Sequence, residues 1–431
     1  MSMANQVSRR SLLGLAALGA GAGALGGCDD SSDTGGSGSG TLTWWHIATT
    51  EPVRSLYAGM ARDFEAANPG TKIEVVPLEN EAFKSKLTTV TQAGDPPDIF
   101  HTWGGGVLRQ QAEAGLIKDL TTTIAPWKGS FNRTAITPYT IDGKDRAVAV
   151  DTGMVGFWYN RALFTAAGIT TPPGTWTEFL AVVRRLKAAG TVPIALAGKE
   201  KWPGHYYWAY LAMRVAGLGG LNQAAKDKSF ESPDFVAAGS HLADLVALQP
   251  FQPGFLAAGY ATPDGQSATV ANRKAAMELM GQWAPSSHVS TAADGKGLGA
   301  DLGFFPFPVV AGGKGVATEV FGGGGGFAVG RDAPAKATDF LKFISTVERQ
   351  RVLAAKGSMI PTVTGAEDAL TDPQLQVVAR TLAAATGFQL YLDQAYPPAI
   401  GAQVNDSVAD LLAGKANPTQ VVRAITEAAR R

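Results

Sequence analysis

In "LTWWHIATTEPVRSLYAGMARDFEAANPGTKIEVVP" (residues 42–77) the apolar spacing changes twice. "LTWWH" (42–46) reads as a strand, and Leu56, Met60 and Phe64 then recur at helical spacing. "NPG" ends that helix, and "KIEVVP" alternates as a second strand with Ile73 and Val75 on one face. Strand, helix, strand is the opening of a parallel βαβ unit with a right-handed crossover.

The same pattern continues outward. Phe83, Leu87 and Val90 mark a second helix, "GDPPD" closes it, and "DIFHT" (98–102) is a third short strand. Ligands of such sheets bind beyond the carboxyl ends of the strands. The loops "HIATTE" (46–51), "LENE" (78–81) and "TWGGG" (102–106) therefore converge on one region and offer it Glu51, Glu79, Asn80 and Trp103. Near "VAVDTGMVGFWYN" (148–160) the chain is expected to change lobes. A second alternation follows, with helices near 161–167 and 176–189 and strands at "VPIAL", "AAMELMG" and "LGFFPFPVV". The last 70 residues read as mostly helical, Val421, Val422, Ile425 and Ala428 lining one face of the final helix.

Ahead of this alternation the chain has a different character. Residues 1–10 end in Arg9 and Arg10, and "LLGLAALGAGAGAL" (12–25) is apolar but too short for a membrane span. "SRRSLL" resembles a twin-arginine export signal, with Leu12 where Phe is preferred. "LGGC" resembles a bacterial lipobox, in which Cys28 becomes the lipid-modified first residue of the mature chain. The plainer alternative is an ordinary signal peptide followed by an incidental cysteine. Cys28 is the only cysteine in 431 residues, so no intramolecular disulfide is available and the fold rests on its core. "DDSSDTGGSGSG" reads as a flexible tether over 28–40.

The 37 basic residues balance 37 acidic ones, and loss of Arg9 and Arg10 on cleavage would leave 35 against 37. With no basic tract, a nucleic-acid partner is not expected. The five histidines (46, 101, 205, 241, 288) are scattered with no metal-ligand spacing, so neither a metal nor any other cofactor is expected. "FGGGGGF" (321–327) lacks the Lys-[Ser/Thr] of a phosphate loop, and close backbone approach explains its glycines more simply. No G-x-S-x-G elbow occurs, although two well-placed carboxylates among 37 could still make a glycosidase.

Two aromatic stretches point to a ligand. "KEKWPGHYYWAYLA" (199–212) puts Tyr206 and Tyr210 on one helical face, but most of its rings, Trp208 and Tyr210 among them, read as core, while Trp202 at the helix start can project into a cleft. "GQWAPSS" (281–287) puts Gln282 and Trp283 in a loop after an apolar strand. Aromatic planes beside carboxylates and amides suit carbohydrate, whose C–H face stacks on indole and whose hydroxyls both donate and accept.

From about residue 41 onward the chain resembles the sugar-binding solute-binding proteins (family 1) of bacterial ABC importers. The likeness lies in "GMVGFWYNRALFTAAGI", "PPGTWTEF", "AAMELMGQWA", "GFFPFPVV", "FGGGGGFAVG" and "FLKFISTVERQRVLAAKGSMIPT". It implies an α/β, two-lobe periplasmic-binding-protein-like clamshell of type II with three hinge crossings. The first lobe would take residues 41–150 plus 306–358, and the second 151–305 plus 359–431. Carried over by position, Asp151, Trp283, Gly322 and Gly323 join Glu51, Glu79, Asn80, Trp103, Trp202, Tyr206 and Gln282 as ligand-binding residues. The resemblance also implies a non-enzymatic receptor, acting as a monomer, that binds a neutral oligosaccharide and docks on a membrane permease. "KEKWPGHYYWAYLAMRVAG" and "GFQLYLDQAYPPAIG" favour a xylobiose-type ligand within the family. The alternatives are a secreted glycoside hydrolase and a receptor for a non-sugar small molecule.

Overall fold

Three parallel strands, β1 (Thr41–His46), β2 (Lys72–Pro77) and β3 (Ile99–Thr102), open the computed structural model, which describes residues 40–357 and 359–431. The expected export signal (1–27), the lipidation site Cys28 and the tether through residue 39 lie outside the described residues. Between the strands run α1 (Val53–Ala67) and α2 (Asn80–Gln92), and α3 (Gly105–Glu113) follows β3. Strands Gly326–Val329 and Ala147–Ala149 complete the sheet, the former antiparallel to both of its neighbours. Leu42 and Trp44 of β1 face α1, where Tyr57, Met60 and Phe64 form the buried stripe. Phe100 of β3 faces the opposite layer with Phe83 and Leu87 of α2 and Leu108 of α3. Period-two strands between period-3.6 helices thus bury a separate apolar layer on each face of the sheet.

The second sheet runs in the order Leu302–Phe305, Gly156–Asn160, Ala275–Met280, Val192–Ile194. Its strand Ala275–Met280 is buried along its whole length, which explains its unbroken apolar run. Glu278 is the exception, and its carboxylate is bonded by Gln266 and His288. Helix Trp202–Asp227 is buried at every position from Trp202 to Gly217, so its aromatics surround it instead of forming one stripe. It kinks at Gly217, whose φ of 75° suits only glycine. In the final helix, Pro418–Arg430, the buried face is Val421, Val422, Ile425, Thr426 and Ala429, so Ala429 replaces the expected Ala428.

The expected return to the first lobe at residue 306 comes later in the structure. Phe307, Val310, Val320 and Phe321 pack in the second core. Phe307 stacks on Tyr210 at 4.5 Å and 7°. The buried Arg214 donates to the carbonyls of Phe307, Pro308, Val316 and Glu319. The chain rejoins the first sheet only at Gly326. It passes between the two cores at Asp151 and at Gly323–Gly325, and a third passage runs from Leu353 to Leu370, where Leu353 and Val363 pack in the first core and Ala354, Ile360 and Leu370 in the second. Among the described residues no helix is long and apolar enough to cross a membrane.

Candidate ligand-binding site

A cavity of about 280 Å³ lies between the two sheets, walled by loops of both lobes and by the crossing strands. On the first-lobe side, β1 and β3 run parallel and end together, which brings His46 and His101 side by side. His46 Nδ1 accepts the Ala48 N–H at 3.2 Å, so the neutral ring carries its proton on Nε2. Burial holds His46 down at about 4. Burial, reinforced by His46, holds His101 at about 3. Both rings are therefore neutral polar groups at pH 7. Trp103 packs edge-on against His101 at 4.6 Å, with Lys84 Nζ 5.5 Å from its ring centroid.

Glu79 and Asn80 line the same cavity. Glu79 caps α2 by accepting the Glu81 N–H at 2.9 Å. Glu51 does not reach the cavity: its carboxylate turns back to accept the Ser55 N–H in α1, and Thr49, Thr50 and Val53 take the wall position. A loop carboxylate next to a helix start is drawn to the unpaired N–H groups there, and that local bond outweighs the topological expectation.

At the crossing, Asp151 accepts from the Gly325 N–H and from Gln282 Nε2 at 3.0 Å, so one carboxylate joins both crossing strands to the loop that carries Trp283. Burial pushes its carboxyl above the usual range, against the pull of those two bonds. Gly322 and Gly323 do not line the cavity; Gly324 and Gly325 do. A Cβ on Gly322 would meet Met154 Cα at 2.5 Å, and one on Gly323 the Tyr391 ring at 2.5 Å. The first two glycines thus permit close packing of the crossing, and the next two bring bare backbone to the cavity.

The second-lobe wall is aromatic. Trp202 lies 5.6 Å from Tyr206, 5.6 Å from Tyr260 and 6.3 Å from Trp283. Tyr391 continues the surface, stacked on Tyr206 at 5.6 Å. Trp202 sits deeper than a ring projecting into open solvent, at 8% exposure. Glu200 accepts the Tyr260 N–H at 3.1 Å, and burial raises its carboxyl.

Several buried polar atoms around the cavity have no partner in the described protein: His46 Nε2, His101 Nε2, Glu200 Oε2, Trp202 Nε1 and Gln282 Oε1. An unpaired buried polar group costs about 1–3 kcal/mol, so this wall favours a ligand able to meet it. His46 and Trp202 offer donors, and Glu200 and Gln282 offer acceptors. No group of three or more His, Cys, Asp or Glu among the described residues is arranged to hold a metal.

Residues 48–351 match the family model of bacterial extracellular solute-binding proteins. The chain belongs to that family. The solute-binding protein is 25% identical over 298 residues to the multiple sugar-binding protein of Streptococcus mutans, a match covering 66% of each chain, just under two thirds. It is 27% identical over 354 residues to the diacetylchitobiose-binding protein DasA of Streptomyces coelicolor, covering 77% of this chain and 76% of that one. Among solved structures, one from a study of xylan utilization by Caldanaerobius polysaccharolyticus superposes with a TM-score of 0.82 at 26% identity. That superposition covers 90% of this chain and 99% of the other. The two named relatives are binding proteins, and the family itself is one of solute-binding proteins, not of enzymes.

Of the residues expected from sequence, Glu79, Asn80, Trp103, Asp151, Trp202, Tyr206, Gln282 and Trp283 meet at this cavity in the solute-binding protein. The sequence expectation omitted His46, His101, Glu200, Tyr260, Tyr391 and Asp393, which also line it. His46 and His101 carried a usable signal, since each stands at the carboxyl end of a strand feeding the ligand side.

Proposed function

We propose that this solute-binding protein is the sugar-capturing component of an ABC importer, taking a neutral di- or oligosaccharide, with a xylobiose-type ligand the first candidate. The observation that carries this is the pairing of an aromatic wall with unpartnered buried donors and acceptors around one cavity. A sugar hydroxyl donates and accepts at once, so one ligand class meets both kinds of atom, while its C–H face covers the indoles. The names of the relatives, a multiple sugar-binding protein and a diacetylchitobiose-binding protein, agree with that class.

In this account Trp283, with Trp103 or Trp202, stacks on sugar rings, while Asp151, Glu79, Asn80 and Gln282 bind hydroxyls. Sugar settles on one lobe, the lobes close about the three crossings, and the closed form docks on a membrane permease. The receptor works as a monomer outside the cytoplasm, tied to the outer face of the cell membrane through lipid on Cys28. Each buried CH₂ of that lipid adds about 0.8 kcal/mol of anchoring.

Isothermal calorimetry with xylobiose and diacetylchitobiose, on the native chain and on Trp283→Ala, tests the proposal. Binding by the native chain and its loss in a variant of unchanged Tm is the expected result. Equal affinity in the two proteins removes Trp283 from the site.

A further inference from the structure

Strand Ala275–Met280 carries one carboxylate among apolar neighbours: Glu278 is fully buried, and so are its two partners, Gln266 and His288. Gln266 Nε2 donates to Glu278 Oε2 at 2.8 Å, and His288 Nε2 is bonded to Oε1. None of the three lines the cavity, yet both partners lead directly to residues that do. His288 stands in helix Ala284–Thr291, whose N-cap is Trp283 and whose first turn brings Ser286 and Ser287 to the cavity. Gln266 holds the rest of the aromatic wall. Its Oε1 accepts the Ala197 N–H at 2.6 Å, just ahead of Glu200 and Trp202. Its own backbone N–H donates to the Gly259 carbonyl at 2.9 Å, next to Tyr260.

We propose that Glu278 is the positioning residue of the ligand-binding wall: through His288 and Gln266 it sets Trp283 against Trp202 and Tyr260 while touching no ligand itself. Stability alone does not account for the arrangement, because apolar side chains of the same volume often hold a core as well as a buried carboxylate and its partner. They cannot fix direction. A carboxylate with one oxygen committed to each of two segments sets where those segments stand relative to one another. Binding groups work only within about 0.5 Å of their productive geometry, so slack in helix Ala284–Thr291 is felt by whatever stacks on Trp283.

The inference rests on the sugar proposal above, and two readouts keep their failures apart. His288→Leu breaks the bond to Glu278, His288→Gln keeps an N–H where Nε2 stood, and the double variant Glu278→Leu/His288→Leu replaces both groups with apolar ones, which restores folding where the single variant loses it. Each full-length protein, checked by Tm, is titrated calorimetrically with xylobiose and diacetylchitobiose. Affinity should fall about tenfold in His288→Leu and in the double variant, and return to within about threefold of native in His288→Gln. Hydrogen–deuterium exchange without ligand should quicken over residues 283–291 in the first two and stay native in the third. Native affinity in the double variant overturns the inference and leaves the sugar proposal standing, as does equal weakening in His288→Gln. If neither sugar binds the native chain, the sugar proposal falls and exchange decides the inference. Faster exchange over 283–291 that His288→Gln reverses then upholds Glu278 as the positioning residue, and unchanged exchange overturns it.

Discussion

His46 and His101 show how far a residue's chemistry depends on where a strand ends. Each has an ordinary titration near pH 6.5 in an unfolded chain, and burial lowers them to about 4 and about 3 in the fold. Below pH 6.5 the unfolded chain binds protons that the folded rings refuse, so these groups stabilise the fold fully only above that pH. Stability should therefore decline as pH falls from 6.5 towards 4, and the decline should be shallower in His46→Gln or His101→Gln. Tm measured across that range checks it, and parallel curves for native and variants would reject it. The raised carboxyl of Asp151 acts in the opposite sense, because the folded state accepts its proton first. Trp202→Phe should weaken sugar binding at least about five- to tenfold, through loss of the indole N–H together with part of the ring surface; calorimetry reads it. Trp202 and Trp283 were picked out by their places, one before Pro203 at a helix start and one after a strand; both line the cavity, although Trp202 is also buried in the second core. The histidines were not, since their adjacency arises only when β1 and β3 pair. Glu51 misled because topology locates a loop, while local hydrogen bonding decides where its carboxylate turns.

Helix Trp202–Asp227 governs the second lobe at the scale of elements. Its first turn supplies Trp202 and Tyr206 to the cavity, and four hydrogen bonds from Arg214 further along fix the segment 307–319. Arg214→Met removes a buried cation but strands several buried carbonyls, so it should destabilise the protein by about 3 kcal/mol. Chemical denaturation measures that value, and a change under 1 kcal/mol would show that the segment holds without Arg214. The βαβ opening was plain from the sequence because strands and helices bury different periods; Met60 and Phe64 carry the helical one as expected, with Tyr57 buried where Leu56 was expected. The return of the chain to the first sheet was harder to locate. "GFFPFPVV" is apolar enough for either core, and only the stack of Phe307 on Tyr210 assigns it. Nothing in the local pattern around 306 encodes that partner, which lies far back in the chain.

Across the whole molecule, two cores meet at a cavity whose walls answer each other: neutral imidazoles and a helix-capping carboxylate on one side, an indole and tyrosine surface on the other. Asp151 ties the crossing to that second wall through Gln282. The central claim is that this cavity takes neutral saccharide. Thermal unfolding of the full chain against neutral mono-, di- and trisaccharides tests it most directly. A matching di- or trisaccharide at 100 times its Kd should add about 2.7 kcal/mol of stability and raise Tm, with monosaccharides well behind. A Tm that stays flat against every sugar in the panel would contradict the account.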